Sequence, residues 1–218
     1  MSPQVTLHTA RLTLRFADLH SPTDAHELVK LHTSEAAAKS GVPRQIDSPE
    51  ALRRQLPRLG PKAELCTRAP PPEGMYFLIV LPPPPSSEDG KAEDESKGTV
   101  IGMNALVFRP EMPYPDMAYA MNTAYEGHGY ASEAGRAALA WWRDVIGVEK
   151  IWCGTLPANV RSQRCAERIG FVRAGGVDIV LGNPPDEATR VRDCVAFVLP
   201  GMEGEWVEGR TIYPSVRW

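Results

Sequence analysis

The segment Tyr125-Glu126-Gly127-His128-Gly129-Tyr130-Ala131-Ser132-Glu133-Ala134 constrains this chain more than any other. Before it, Asp116 to Met121 has strand character. After it, Tyr130, Ala134, Ala138, Trp141 and Val145 fall on one side of a long helix that Gly147 is placed to end. A helix start carries unpaired amide hydrogens and a partial positive charge, and glycine lets a ligand approach the backbone without a Cβ in the way. Gly127 and Gly129 between strand and helix therefore predict a pyrophosphate cradle, with a plain flexible loop as the structural alternative. A dinucleotide-binding unit is the competing functional reading. The third glycine of that fingerprint would fall on Ser132, and Thr155 to Asn159 offers no ribose-binding carboxylate.

The rest of the chain supplies a framework for that loop. Arg11 to Phe16 alternates as a half-buried strand, Asp24 is expected to open a helix carrying Leu28, Val29 and Leu31, and Ser34 to Ile46 reads as a loop. Ser48-Pro49-Glu50 starts a second helix that Pro57 ends, with Leu52 and Leu56 on one face. Tyr76 to Leu81 is a buried strand, and Pro82 to Lys97, proline-rich and then acidic, is a solvated hairpin insertion. Thr99 to Phe108, Asp116 to Met121 and Lys150 to Leu156 are further strands; Asn159 to Ile169 is a helix closed by Gly170; Phe171 to Leu181 and Arg192 to Leu199 complete the pattern. The expected class is mixed α/β, a twisted sheet of about seven strands flanked by about four helices. One domain over 1–199 with a tail at 200–218 is the simplest organisation.

Composition narrows the partners. A formal charge of -3 and a pI near 6.0 argue against a nucleic-acid binder. No stretch approaches the roughly 20 apolar residues of a membrane span, and Met1 to Ala10 lacks the apolar run of a secretory signal. Cys66, Cys153, Cys165 and Cys194 show no paired or metal-like spacing, so reduced thiols, no metal site and a cytoplasmic or nuclear setting are expected. Neither Cys153 nor Cys165 has a visible histidine partner that would make it a nucleophile.

Gly127-x-Gly129-Tyr130-Ala131-x-Glu133-Ala134 resembles motif A of the GNAT superfamily of N-acetyltransferases, in the form typical of its RimJ/RimL-like branch. Glu126, Gly129 and Ala131 stand at the three specified positions, Glu126 where the pattern has Arg or Gln. Asn159-x-x-Ser162 followed by Glu167-Arg168-Ile169-Gly170-Phe171 resembles that branch's second signature. The resemblance covers about Arg11 to Leu199 and implies the GNAT fold, acetyl-CoA as cosubstrate and an amine acceptor, either a small molecule or a protein N-terminus. It further implies that Glu126, Gly127, His128, Gly129, Tyr130 and Ala131 surround the pyrophosphate. Asn159 and Ser162 would face the pantetheine arm or departing thiol. The strand from Asp116 through Met121 to Asn122 would hold pantetheine and the acetyl carbonyl through its amides.

Direct attack on a thioester needs a positioned amine, a proton acceptor and a donor to the leaving thiolate. Asp116 and Tyr119 are the candidates for base or water positioning, and Ser162 for the thiol side. The helix tyrosine some relatives use as acid is replaced here by Cys165 and Ala166. Two alternatives therefore stay open, a degenerate domain that binds CoA or a protein partner without catalysis and a nucleotide-dependent oxidoreductase. The aromatic tail with Trp206, Tyr213 and Trp218 is expected either to close over the acceptor site or to form a homodimer contact. The Glu126 side chain is expected to point to solvent, toward His128.

Overall fold

The apolar run Tyr76-Phe77-Leu78-Ile79-Val80 lies at 5% exposure or less, which only a strand covered on both faces can reach. The computed structural model describes residues 5–34, 46–55, 62–70, 75–83, 98–109, 111–182 and 185–213. Among these the chain runs β1 (Thr6–His8), β2 (Thr13–Phe16), α1 (Pro22–His32), α2 (Pro49–Gln55), β3 (Tyr76–Leu81), β4 (Thr99–Val107) and β5 (Asp116–Met121). It continues α3 (Tyr130–Trp141), β6 (Trp152–Thr155), α4 (Val160–Ile169), β7 (Val172–Gly182), β8 (Pro185–Val198) and β9 (Thr211–Ile212). One sheet contains all the strands in the order β1-β2-β3-β4-β5-β6-β8-β7-β9. Its neighbours are antiparallel except β5 with β6 and β7 with β9. The seven expected strands are β2 to β8, and β1 and β9 add a short strand at each edge.

Two apolar layers cover the sheet. Leu28, Leu31 and Leu52 of α1 and α2 pack on Tyr76, Leu78, Met103 and Ala105. On the opposite face, Ala134, Ala138 and Trp142 meet Phe77, Ile79 and Met117. Each fully buried large side chain contributes about 1.5–3 kcal/mol. Gly135 lets α3 come close to α4, because a Cβ there would meet Ile169 Cδ1 at 2.5 Å and Met117 Cε at 3.3 Å.

Several local expectations shift by a residue or more. Asp24 does not open α1; Ser21 caps it, Pro22 stands at its start, and the nearly buried Asp24 carboxylate takes Arg15 Nη1 at 2.6 Å and Nη2 at 2.7 Å. The apolar stripe of α3 does not end on Val145. A π-helical turn over Trp142–Ile146 inserts an extra residue, so Trp142 and Ile146 turn inward and Val145 stays 47% exposed. Gly147 ends this turn at φ 82 as expected. β8 begins at Pro185 rather than Arg192; its outer half, Asp186 to Thr189, is exposed and carries no apolar pattern that would reveal a strand. Leu81 pairs with Thr99, which puts the proline-rich insertion at a hairpin end; 84–97, 35–45, 56–61 and Trp218 lie outside the described residues.

The segment after Leu199 packs on the sheet up to Tyr213. Trp206 is 8% exposed, its ring centroid lies 5.4 Å from that of Trp152, and its Nε1 donates to Gly176 O at 3.2 Å. Glu208 accepts from Gly176 N at 2.9 Å, in space that a side chain at Gly175 would occupy.

Candidate active site

The loop after β5 is built by its own short-range chemistry. Asn122 Oδ1 accepts from Ala124 N at 3.1 Å and caps a 3-10 turn, Thr123–Tyr125, which delivers the chain to Glu126. Gly127 and Gly129 then take φ of 82 and 80, the left-handed region where a side chain is strained. Gly129 caps α3, and Glu133 N makes a helical bond to Gly129 O at 3.0 Å. The preceding amides, of Tyr130, Ala131 and Ser132, have no partner within the helix and form its electropositive start. A Cβ on Gly127 would meet nothing within 4 Å, so the loop's outer side is open to a ligand.

Glu133 holds this loop from behind. Its carboxylate accepts from Thr9 Oγ1 at 2.6 Å, Arg11 N at 3.1 Å and Arg11 Nε at 2.8 Å, tying the β1–β2 turn to the first turn of α3. Burial raises its pKa, but the Thr9 and Arg11 hydrogen bonds outweigh that and leave it below the ordinary value. Arg11 also donates to His128 O at 3.0 Å and lies 4.6 Å over the Tyr130 ring, on which the His128 ring stacks at 5.5 Å. The Glu126 carboxylate lies at the surface, as expected, but its partner is not His128. It bonds Arg161 Nη1 of α4 at 2.6 Å, and the His128 ring meets the Glu126 carbonyl at 2.9 Å instead. Arg11 and Arg161 escape sequence reasoning because their partners are remote in the chain.

The second part of the site is a gap in the sheet. β5 and β6 pair in register at Asp116 with Trp152, with Trp152 N donating to Pro115 O at 3.1 Å, and from there diverge toward the loop. Along β5, Met117, Tyr119 and Met121 face α3 and α4, while Asp116, Ala118 and Ala120 face α1 and α2. Met121 and Asn122 thus lead the strand into the loop. Asn159 caps α4, its Oδ1 accepting from Ser162 N at 3.1 Å. Gly170 ends the helix at φ 120.

Tyr119 and Ser162, singled out independently, come together. Tyr119 Oη lies 2.9 Å from Ser162 Oγ and 2.9 Å from Ser162 O. Donation by the phenol to the carbonyl leaves the serine hydroxyl to donate to the phenol oxygen. Burial holds the Tyr119 phenol well above its usual pKa, so it stays protonated. Asp116 is not part of this pair. It lies on the other face, 7% exposed, with Oδ2 held by Arg109 Nε at 2.8 Å and Oδ1 without a hydrogen-bond partner among the described residues. Burial raises its pKa, against the pull of Arg109. Burial also pushes Cys165 up to about 11 and Cys153 well above its usual value, which removes either as a thiolate nucleophile. A cavity of about 300 Å³ opens on the α1 side of the strand ends, between Glu27, Lys30, Val100, Asn122 and Thr123.

Solved structures share this architecture. The ribosomal-protein-S5-alanine acetyltransferase from Vibrio fischeri superposes with a TM-score of 0.60 at 16% identity, covering 89% of this chain and 95% of that one. The acetyltransferase from Agrobacterium tumefaciens str. C58 gives 0.58 at 21% identity over 89% and 93%. The GNAT-family acetyltransferase from Bacillus anthracis gives 0.57 at 17% over 89% and 96%. No curated protein matches the sequence. The model of the acetyltransferase (GNAT) domain matches residues 11–172, most of the chain and both halves of the site, and the protein belongs to the GNAT acetyltransferase family.

Proposed function

We propose that the protein transfers the acetyl group of acetyl-CoA to a primary amine by direct attack on the thioester. The observation that carries this reading is the gap between β5 and β6, which opens from one paired position toward a left-handed glycine loop at a helix start. A long ligand with a phosphate end and an extended arm fits that pairing of features. The amides of Tyr130, Ala131 and Ser132, the open backbone at Gly127 and the left-handed Gly129 would hold the pyrophosphate, flanked by Glu126 and His128. Met121, Asn122 and Asn159 would border the arm. An amide of β5 left free by the divergence would polarise the acetyl carbonyl.

Proton handling then divides between the two faces. Ser162 stands on the α4 side; its hydroxyl donates to Tyr119 at rest and would turn from the phenol to donate to the departing thiolate. Asp116 stands on the α1 side, the side of the cavity beside Glu27 and Asn122, from which an acceptor amine would arrive. Asn122 stands six residues, about 20 Å, further along the strand, so Asp116, with Oδ1 unpartnered, would take that proton only through intervening water. The acceptor is a small-molecule or protein N-terminal amine, handled in a cytoplasmic setting. The test is a titration of the protein with acetyl-CoA, NAD and NADP, followed by thiol release on an amine panel. Stabilisation by acetyl-CoA alone and amine-dependent thiol release are expected. Binding of NAD in its place would refute the reading, and binding without release on any amine would reduce it to a CoA-binding domain.

A further inference from the structure

Asn104, Tyr119 and Thr155 form a polar row across the face of the sheet beneath α3 and α4. Asn104 is the register partner of Tyr119 on β4. Continuing the register set by Asp116 and Trp152 brings Thr155 opposite Tyr119 on β6, across the gap. Residues in register on parallel strands project to the same face, so Thr155 shares the face of Tyr119. Ser162 satisfies the Tyr119 hydroxyl. Thr155 differs: it is 4% exposed, and its Oγ1 has no hydrogen-bond partner among the described residues.

A hydroxyl in such a place weakens a fold that valine, equal in shape, would serve better. Asn104 is also buried without a partner for its amide, but it lies between β3 and β5, where the strands are fully paired and no ligand passes. Thr155 stands on the edge of β6 that borders the gap, beyond its one paired position. We infer that Thr155 Oγ1 is a binding group for the arm of CoA, hydrogen-bonding one of its secondary amides, which leaves water on entering the sheet and needs a partner there. A hydroxyl both donates and accepts, so it can serve the N–H or the C=O of that amide. This inference rests on the acetyl-CoA reading above.

The test compares wild type with Thr155→Val, Thr155→Ala and Thr155→Ser, titrated with CoA and with adenosine 3′,5′-bisphosphate, which lacks the arm. Thr155→Val should weaken CoA about fivefold, the size of one net hydrogen bond. It should leave the bisphosphate unchanged and the ligand-free melting temperature equal or higher. Thr155→Ser should keep the affinity, and Thr155→Ala should lose it even if valine disturbs packing. Unchanged CoA affinity in both Val and Ala variants, or equal losses for CoA and the bisphosphate, would overturn the inference. A wild-type protein that does not bind CoA would instead overturn the reading on which it rests.

Discussion

Tyr119 and Ser162 connect the central strand to the helix that flanks the gap, and a double-mutant cycle measures that link directly. Two contacts of 2.9 Å join the Tyr119 hydroxyl to Ser162, one to Oγ and one to the carbonyl. Tyr119→Phe removes both and leaves the serine hydroxyl without its partner, while the carbonyl keeps its helical bond. One net buried hydrogen bond is worth about 1 kcal/mol. Ser162→Ala, which loses one bond, should therefore cost about 1 kcal/mol in urea unfolding, Tyr119→Phe, which loses both, about 2 kcal/mol, and the double variant little more than Tyr119→Phe alone, a coupling of about 1 kcal/mol. On acetyl transfer, Ser162→Ala should lower kcat by roughly a hundredfold, and Tyr119→Phe by less, with the Michaelis constant for acetyl-CoA little changed. Strictly additive unfolding costs would refute the bonded pair. A Tyr119→Phe effect confined to the Michaelis constant would refute the orienting role of the phenol.

Gly129→Val should weaken acetyl-CoA binding at least tenfold by calorimetry, since the position combines φ 80 with the expected approach of phosphate; an unchanged dissociation constant in the folded variant would remove the cradle. Glu126→Gln should lower the Michaelis constant for acetyl-CoA by no more than a few-fold, less at high salt, because it removes an anion near the phosphates and frees Arg161; abolished turnover with CoA still bound would make Glu126 catalytic. Burial lowers His32 from 6.5 to about 4. The unfolded chain therefore binds the extra proton first, and the stability that His32 contributes is complete above about pH 6.5 and falls away as pH drops toward 4. His32→Gln should flatten that part of the unfolding curve, and an unaltered pH profile would refute the assignment.

Where a residue's structural task is done with its near neighbours, the sequence was legible. Asn159 caps the helix that Gly170 ends, and Gly127 and Gly129 turn the chain into α3, because these are local requirements of backbone geometry. Tyr119 and Ser162 could be named singly, yet nothing in either segment announces that 43 positions apart they share a hydrogen bond. Arg11 and Arg161 were illegible for the same reason, since an arginine on a strand edge or helix start carries no mark of its partner. Glu133 belongs to the glycine-loop signature, and nothing in that signature marks it as the anchor of the β1–β2 turn. Val145 was misplaced because regular helix periodicity does not anticipate a π turn. The outer half of β8 and the short β9 lack the apolar signal that reveals a strand.

The first and last strands sit at opposite borders of the sheet, β1 beside β2 and β9 beside β7. Eight strand-to-strand steps at about 4.8 Å each separate them by roughly 38 Å before twist is considered. A direct splice of the two ends, as in a circular permutant, would need a linker on the order of a dozen extended residues. During synthesis the border formed by β7 also stays unpaired until Thr211 and Ile212 arrive, so this edge is open to strand addition by another chain until then.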